Sequence, residues 1–478
     1  PAASDSTMHL GSMLDRQAFY EQRASDRPKE GGRYYHRLIE NYTGFFVPPG
    51  MKVLEVGCGL GDLLASVKPS RGVGIDFSLS VVEMARERHD DLEFHVAEAS
   101  EWESDETFDY IIVSDLVNDL PDVQTFLEKL KKFAHSETRL VINFFNNIWR
   151  PVLATAEVLG DKAERPLQNW LSHFDVRNLL HLSGWEVVKS DSRILWPIRT
   201  PIVTGLLNRL LAPLPLLGHL CLTIFTVARL KPAVNQRRSL SCSVVIPARN
   251  ESGNIEDAVK RVPKMGKGTE IIFIEGGSTD DTWEEIHRVA KKYPKRNIRI
   301  LKQRSKGKGG AVREAFAEAT GDILFILDAD LTVPPEDLPK FYEAIRSGAA
   351  EFVNGVRLVY PMESGAMQFC NMIANKLFGL TFSWLLGQTI KDTLCGTKVL
   401  LRKDYEKIAD NRSYFGDFDP FGDFDLIFGA AKLNMRILDV PIRYGARTYG
   451  ETNISRWSHG LLLFRMIGFA ARRLKFFG

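Results

Sequence analysis

Ile323-Leu324-Phe325-Ile326-Leu327-Asp328-Ala329-Asp330 decides how this 478-residue chain is read. Five aliphatic or aromatic residues in succession predict a strand buried on both faces, the pattern of a parallel α/β sheet. Asp328 and Asp330 then leave that strand two residues apart, with their side chains on the same side. Two like charges so close resist joint ionisation unless a cation sits with them. Oxygen-only ligands favour Mg²⁺ or Mn²⁺, ions that often hold substrate phosphates.

The alternation of strand, helix and strand extends outward from this run. In the second half, strands are expected near Cys242–Ile246, Glu270–Ile274, Ile298–Leu301 and Glu351–Val356. In the first they are expected near Lys52–Val56, Val73–Ile75, Leu92–Val96, Tyr110–Val113 and Arg139–Phe144. This rhythm predicts two α/β domains with parallel sheets. Arg229–Leu240 is basic, contains proline and lacks hydrophobic periodicity, which sets a linker at 231–240. It separates domains at 31–230 and 241–455, with an N-terminal extension at 1–30 and a C-terminal helix at 456–478.

Composition narrows the function classes. A net charge of +2 argues against a general nucleic-acid binder. The five cysteines form no C-x-x-C pair, which predicts reduced thiols in a cytoplasmic setting rather than a disulfide framework or zinc site. Pro1–Leu14 is polar and has no hydrophobic core of signal-peptide type. Leu210–Ala228 is largely apolar but contains Pro213, Pro215, Gly218 and His219. A spanning helix needs about 20 apolar residues without interruption, so a turn and a strand over Leu220–Val227 are expected here, with a membrane span as the alternative.

In the first half, Val53-Leu54-Glu55-Val56-Gly57-Cys58-Gly59-Leu60-Gly61-Asp62 reads as a strand, a glycine-rich turn and a helix start. Gly74-Ile75-Asp76 places a carboxylate at the next strand's end, where ribose hydroxyls are recognised. That layout suits a dinucleotide or S-adenosylmethionine. The spacing is G-x-G-x-G after an acid, not G-x-G-x-x-G, and Glu55 would repel a pyrophosphate but suits a cationic methionine end. These residues resemble the class I S-adenosylmethionine-dependent methyltransferases over roughly residues 30–230. The resemblance assigns Glu55, Gly57, Gly59, Gly61, Asp76 and Glu98 to cofactor binding. The methyl acceptor is not specified; a hydroxyl acceptor would need a base, and Asp115, Asp119, His36 and His173 all qualify by residue type.

In the second half, Ser243–Glu251 is a strand ending in a polar turn, Glu275–Asp281 is a second such turn, and Lys306-Gly307-Lys308-Gly309-Gly310 opens a helix. Backbone N–H groups and a lysine there suit a diphosphate. The order of these segments, with Asp328 and Asp330 last, resembles the family 2 glycosyltransferases of GT-A fold over about residues 240–460, and among them the dolichyl- and undecaprenyl-phosphate sugar synthases. The resemblance implies a UDP- or GDP-linked sugar donor and metal ligation by Asp328 and Asp330. It assigns Glu275, Lys308 and Arg357 to nucleotide-sugar and phosphate binding. It also implies acceptor or catalytic roles for Asp392, Asp423, Asp425 and Arg447. Glu275-Gly276, Thr332 and Asn453 depart from the family pattern, which usually carries Asp-Asp, glutamine and lysine there. A polyprenyl-phosphate acceptor, already an anion, needs no base; a hydroxyl acceptor would require Asp392, Asp423 or Asp425 to take a proton.

Leu463, Ile467, Ala470, Leu474 and Phe477 form one apolar stripe at helical spacing, and Arg456–Gly478 contains no acid. A basic amphipathic helix of this kind predicts contact with the inner face of a membrane. The expected protein is a bifunctional sugar and methyl transferase. The alternatives are a glycosyltransferase whose first domain binds cofactor without turnover, and a silent scaffold at a membrane surface.

Overall fold

The computed structural model describes residues 18, 21, 30–99, 101–158, 169–233, 239–360, 369–414, 422–445, 447, 449 and 456–476. Most of the N-terminal extension, Phe477 and Asn453 lie outside them. The chain forms two compact units that part between Lys231 and Pro232. Each is built on a seven-stranded sheet.

The first sheet contains β1 (Lys52–Val56), β2 (Arg71–Asp76), β3 (Glu93–Val96), β4 (Phe108–Ser114), β5 (Ala134–Phe145), β6 (Trp185–Arg193) and β7 (Thr223–Leu230), in the order β3-β2-β1-β4-β5-β7-β6. Its strands alternate between two apolar layers. Leu54, Val56, Ile111 and Val113 pack on one face, while Val53, Tyr110 and Ile112 pack on the other. Burial on both faces is why these runs read as continuous hydrophobic sequence.

The second sheet contains β8 (Cys242–Ala248), β9 (Thr269–Glu275), β10 (Asn297–Lys302), β11 (Ile323–Ile326), β12 (Phe352–Val356), β13 (Lys398–Leu401) and β14 (Ile437–Pro441), in the order β10-β9-β8-β11-β13-β12-β14. Val244, Ile246, Ile271, Phe273, Phe325 and Val353 anchor its core. In both sheets the strand order reverses beside the first strand, between β1 and β4 and between β8 and β11. Ligands bind at such switch points, outside the carboxyl ends of the strands.

Three expectations need correction. Neither sheet is wholly parallel, because β7 runs antiparallel to β5 and β6, and β13 runs antiparallel to β11 and β12. Arg229 and Leu230 belong to β7, pairing with its neighbours, so the basic run Arg229–Leu240 begins inside a strand and only its part from Lys231 follows the sheet. The C-terminal stripe does not face outward: in the helix Arg456–Leu474, Leu463, Ala470 and Leu474 are buried, whereas Arg465, Arg472 and Arg473 are exposed. The span alternative for Leu210–Ala228 also fails. Its prolines break it into a turn of π-helix over Gly205–Leu211, a short helix over Pro215–Gly218 and then β7, and among the described residues no helix is long and apolar enough to cross a membrane.

Candidate functional site

The first unit's candidate site lies at the carboxyl end of β1. Gly57, Gly59 and Gly61 all take positive φ, at 73°, 51° and 78°, a region that disfavours any side chain. A Cβ on Gly61 would collide with the Phe94 ring, whereas one on Gly59 would meet open space. The loop is thus packed on one side and open on the other, as a cradle for a ligand requires. Asp76 tethers it, accepting from the Gly59 N–H at 3.0 Å and from the Ser78 N–H at 3.1 Å. Burial pushes the Asp76 carboxyl up.

Glu55 lies beneath the loop. It is buried, and its Oε2 has no hydrogen-bond partner. Burial drives its pKa well above the ordinary carboxylate value, with only a Leu64 N–H opposing and the Asp76, Asp62 and Glu40 carboxylates adding to the rise. An orphaned acid under an open glycine loop is chemically suited to a cationic ligand, which supports the fit of S-adenosylmethionine. Glu98 lies after β3, and its carbonyl caps the turn that follows by accepting from the N–H groups of Glu101 and Trp102.

Of the candidate bases here, Asp115 is the one drawn into a cluster. It follows β4 with φ at 53°, and it accepts from the Tyr35 hydroxyl at 3.0 Å and the Asn143 amide at 2.8 Å. Thr223 lies 3.2 Å from the same Tyr35 hydroxyl. Tyr35 carried no sequence signal, because a tyrosine at helical spacing reads as core. His36 is exposed and Asp119 lies in a turn; burial lowers the His173 pKa.

The second unit's site gathers at the ends of β8, β9 and β11. Lys308, in the first turn of the helix Gly307–Glu318, pairs with Asp328 at 2.6 Å. Burial acts to raise the Asp328 pKa, but Lys308, Lys398 and Arg357 outweigh it and hold the carboxyl below its ordinary value. Arg447 pairs with Asp330 at 2.7 Å and, through its other nitrogen, with Glu251 at 3.0 Å. Thr332 donates to Asp330 at 2.8 Å, so this hydroxyl orients the carboxylate. Each half of the D-x-D motif therefore has its own cation, supplied from a different segment.

Other expected residues are placed differently. Asp392 is fully buried and bidentate with Arg357, at 2.7 Å and 2.8 Å. Burial alone would raise its pKa, but Arg357 holds it below the usual range. Asp425 pairs with Arg412 at 2.8 Å. Asp423 begins the helix Asp423–Lys432, whose N-cap is Gly422 rather than a carboxylate; the Asp423 side chain lies outside the described residues. Glu275 is buried and accepts from the Ser278 N–H, closing its own turn.

Two site-forming residues escaped sequence reasoning. Glu251 anchors Arg447, and the only signal was its place at a strand end after Asn250. At Gly396 a Cβ would collide with the Asp328 carboxylate and the Lys308 ammonium, so glycine there lets the Asp392–Lys398 segment pass against the D-x-D pair.

Comparison with known proteins agrees with this division. Residues 243–409 match the family model "Glycosyl transferase family 2", and residues 48–175 match a "Methyltransferase domain". A dolichol-phosphate mannosyltransferase of Pyrococcus furiosus is 30% identical over 243 residues, covering 50% of this chain and 65% of that protein. One of Saccharomyces cerevisiae is 37% identical over 229 residues, covering 45% of this chain and 82% of that protein. A glucosyl-3-phosphoglycerate synthase from Mycobacterium tuberculosis superposes on 50% of this chain and 82% of its own, with 20% identity and a TM-score of 0.37. The chain thus spans about two thirds of the archaeal relative's length.

Proposed function

Because the chain belongs to glycosyltransferase family 2 through its second half and carries a methyltransferase domain in its first, we propose a bifunctional enzyme. It transfers a sugar from a UDP- or GDP-linked donor to a polyprenyl phosphate, with inversion, and a methyl group from S-adenosylmethionine to a second acceptor. The observation that carries the sugar-transfer reading is the pairing of Lys308 with Asp328 and of Arg447 with Asp330.

Asp328 and Asp330 are the residues to hold Mg²⁺ or Mn²⁺. Two carboxylates would leave the rest of such an ion's coordination to phosphate oxygens and water. When bound, such an ion neutralises charge developing on the departing diphosphate. Lys308 shares that electrostatic task from the other side. Arg447 would hold an acceptor phosphate; Arg357, bidentate with Asp392, would hold that segment instead.

The state of the carboxylates supports the choice of acceptor. Asp392 is ion-paired with Arg357, which holds its carboxyl below the ordinary range and makes it a poor proton acceptor; Asp425 is engaged by Arg412. That suits a phosphate nucleophile, which has no proton to lose. In the first unit, Glu55, Gly57, Gly59, Gly61, Asp76 and Glu98 would bind the cofactor, and Asp115 with Tyr35 would orient or deprotonate the methyl acceptor. The exposed Arg465, Arg472 and Arg473 would draw the protein to anionic lipid at the cytoplasmic face of a membrane, where a polyprenyl phosphate is found.

An acceptor screen tests this. Incubation with UDP- and GDP-sugars and Mn²⁺ is expected to give transfer to a polyprenyl phosphate and none to soluble hydroxyl acceptors; the reverse pattern would sink the reading. Consumption of S-adenosylmethionine separates the bifunctional enzyme from one whose first domain binds cofactor without turnover.

A further inference from the structure

The segment between β6 and β7 is arranged inside out. Thr204 and Asn208, its buried polar residues, face inward. Asn208 accepts from the Trp196 N–H and donates to the Trp196 carbonyl, both at 2.7 Å, and Thr204 accepts from the Thr200 N–H at 2.7 Å. These bonds fix the segment from within. Its apolar residues point the other way: Ile198, Leu206, Leu210 and Leu220 are exposed, and Ile202 and Leu216 are 90% and 85% exposed. Ile202 is held at φ 65°, a conformation that is a genuine outlier for a β-branched residue.

Scattered exposed leucines need no explanation, but a contiguous apolar patch does. Charge selects what covers this one. Ser192–Asn250 contains no Asp or Glu, and Arg199 and Arg209 are exposed among the apolar residues. An apolar segment that carries arginines and no carboxylate of its own matches an anionic bilayer, where the apolar side chains enter the acyl boundary and the arginines meet the headgroups. The topology adds a position. β6 runs antiparallel to β7, which runs antiparallel to β5, and β5 is parallel to β4 and β1 through successive pairs. The segment therefore leaves the sheet at the end that carries the glycine loop and Asp115.

We propose that residues 198–220 are a monotopic docking surface through which the first unit rests on anionic lipid, with the mouth of its candidate site toward the bilayer. This is distinct from the basic C-terminal helix and independent of whether either unit transfers a group.

The test uses the full chain carrying Cys370→Ser and Leu216→Cys, labelled with an environment-sensitive fluorophore; the other four cysteines, Cys58, Cys221, Cys242 and Cys395, are buried. Vesicles of phosphatidylglycerol and phosphatidylcholine are expected to shift the label's emission to the blue. In the unlabelled chain, Ile202→Asp with Leu216→Asp is expected to lower vesicle co-sedimentation at least about tenfold, with unchanged thermal unfolding. Co-sedimentation without a blue shift would place membrane contact elsewhere and overturn the proposal. A blue shift in buffer alone would overturn it too, assigning the patch to a second copy if it vanishes on dilution and to the chain itself if it persists.

Discussion

Both units gather carboxylates at the carboxyl ends of parallel strands beside a switch point, yet the electrostatics of the two sites are opposite. Glu55 is buried and Asp76 half-buried, neither with a salt bridge among the described residues, and desolvation raises both pKa values. Asp328 and Asp330 each carry a cation. A site of uncompensated acids favours a ligand that brings positive charge, such as a sulfonium and an ammonium. A site of acids already paired with lysine and arginine suits a ligand that brings charge of both signs. In the proposed reaction a metal would take the carboxylates, a diphosphate Lys308 and a phosphate Arg447. The two arrangements thus separate a cationic cofactor from a metal–diphosphate donor on chemistry alone.

The comparison breaks most visibly at Asp330. Asp330→Ala is expected to cut sugar transfer about 10³-fold, roughly 4 kcal/mol, because it removes the proposed metal ligand and the partner that positions Arg447. Methyl transfer should be unaffected; loss of both activities together would mean that the substitution had damaged the fold.

Asp392→Ala sharpens the distinction between exchanging and structural ion pairs. It leaves the Arg357 guanidinium buried without its partner, at a cost of about 3–4 kcal/mol of folding stability, read from the denaturant midpoint. Were Asp392 a base rather than a strut, stability would hold while activity fell.

Glu55→Gln is the mildest of the three. The raised pKa means that the folded state keeps a proton which the unfolded chain releases above the ordinary glutamate value. Stability therefore falls as pH rises from that value toward the folded-state pKa. Glutamine removes this dependence, so melting temperature at pH 8 should rise while S-adenosylmethionine binds about tenfold more weakly. A variant with unchanged affinity would show that Glu55 serves only the loop.

Strand positions were legible because doubly buried strands leave long apolar runs, and strand ends differ from expectation by a few residues at most sites. β13 was not legible: Lys398–Leu401 is four residues long and pairs antiparallel with β11 and β12. The site's composition could be read from Asp328, Asp330, Lys308 and the Glu55–Gly61 loop, since each motif is local. Its pairings could not, because Arg447–Asp330 and Arg357–Asp392 join residues far apart in sequence. The C-terminal stripe shows the remaining limit. An amphipathic pattern reports that one face is buried, but whether protein or lipid buries it depends on tertiary packing.

Mn²⁺ titration, followed by electron paramagnetic resonance with and without UDP or GDP, tests the exchange of partners most directly. Arg447 and Lys308 compete with the ion for Asp328 and Asp330, so Mn²⁺ alone should bind weakly. A nucleoside diphosphate should tighten it at least about tenfold, by drawing Lys308 away, with reciprocal tightening of the nucleotide. Equal Mn²⁺ affinity with and without either nucleotide would contradict this picture.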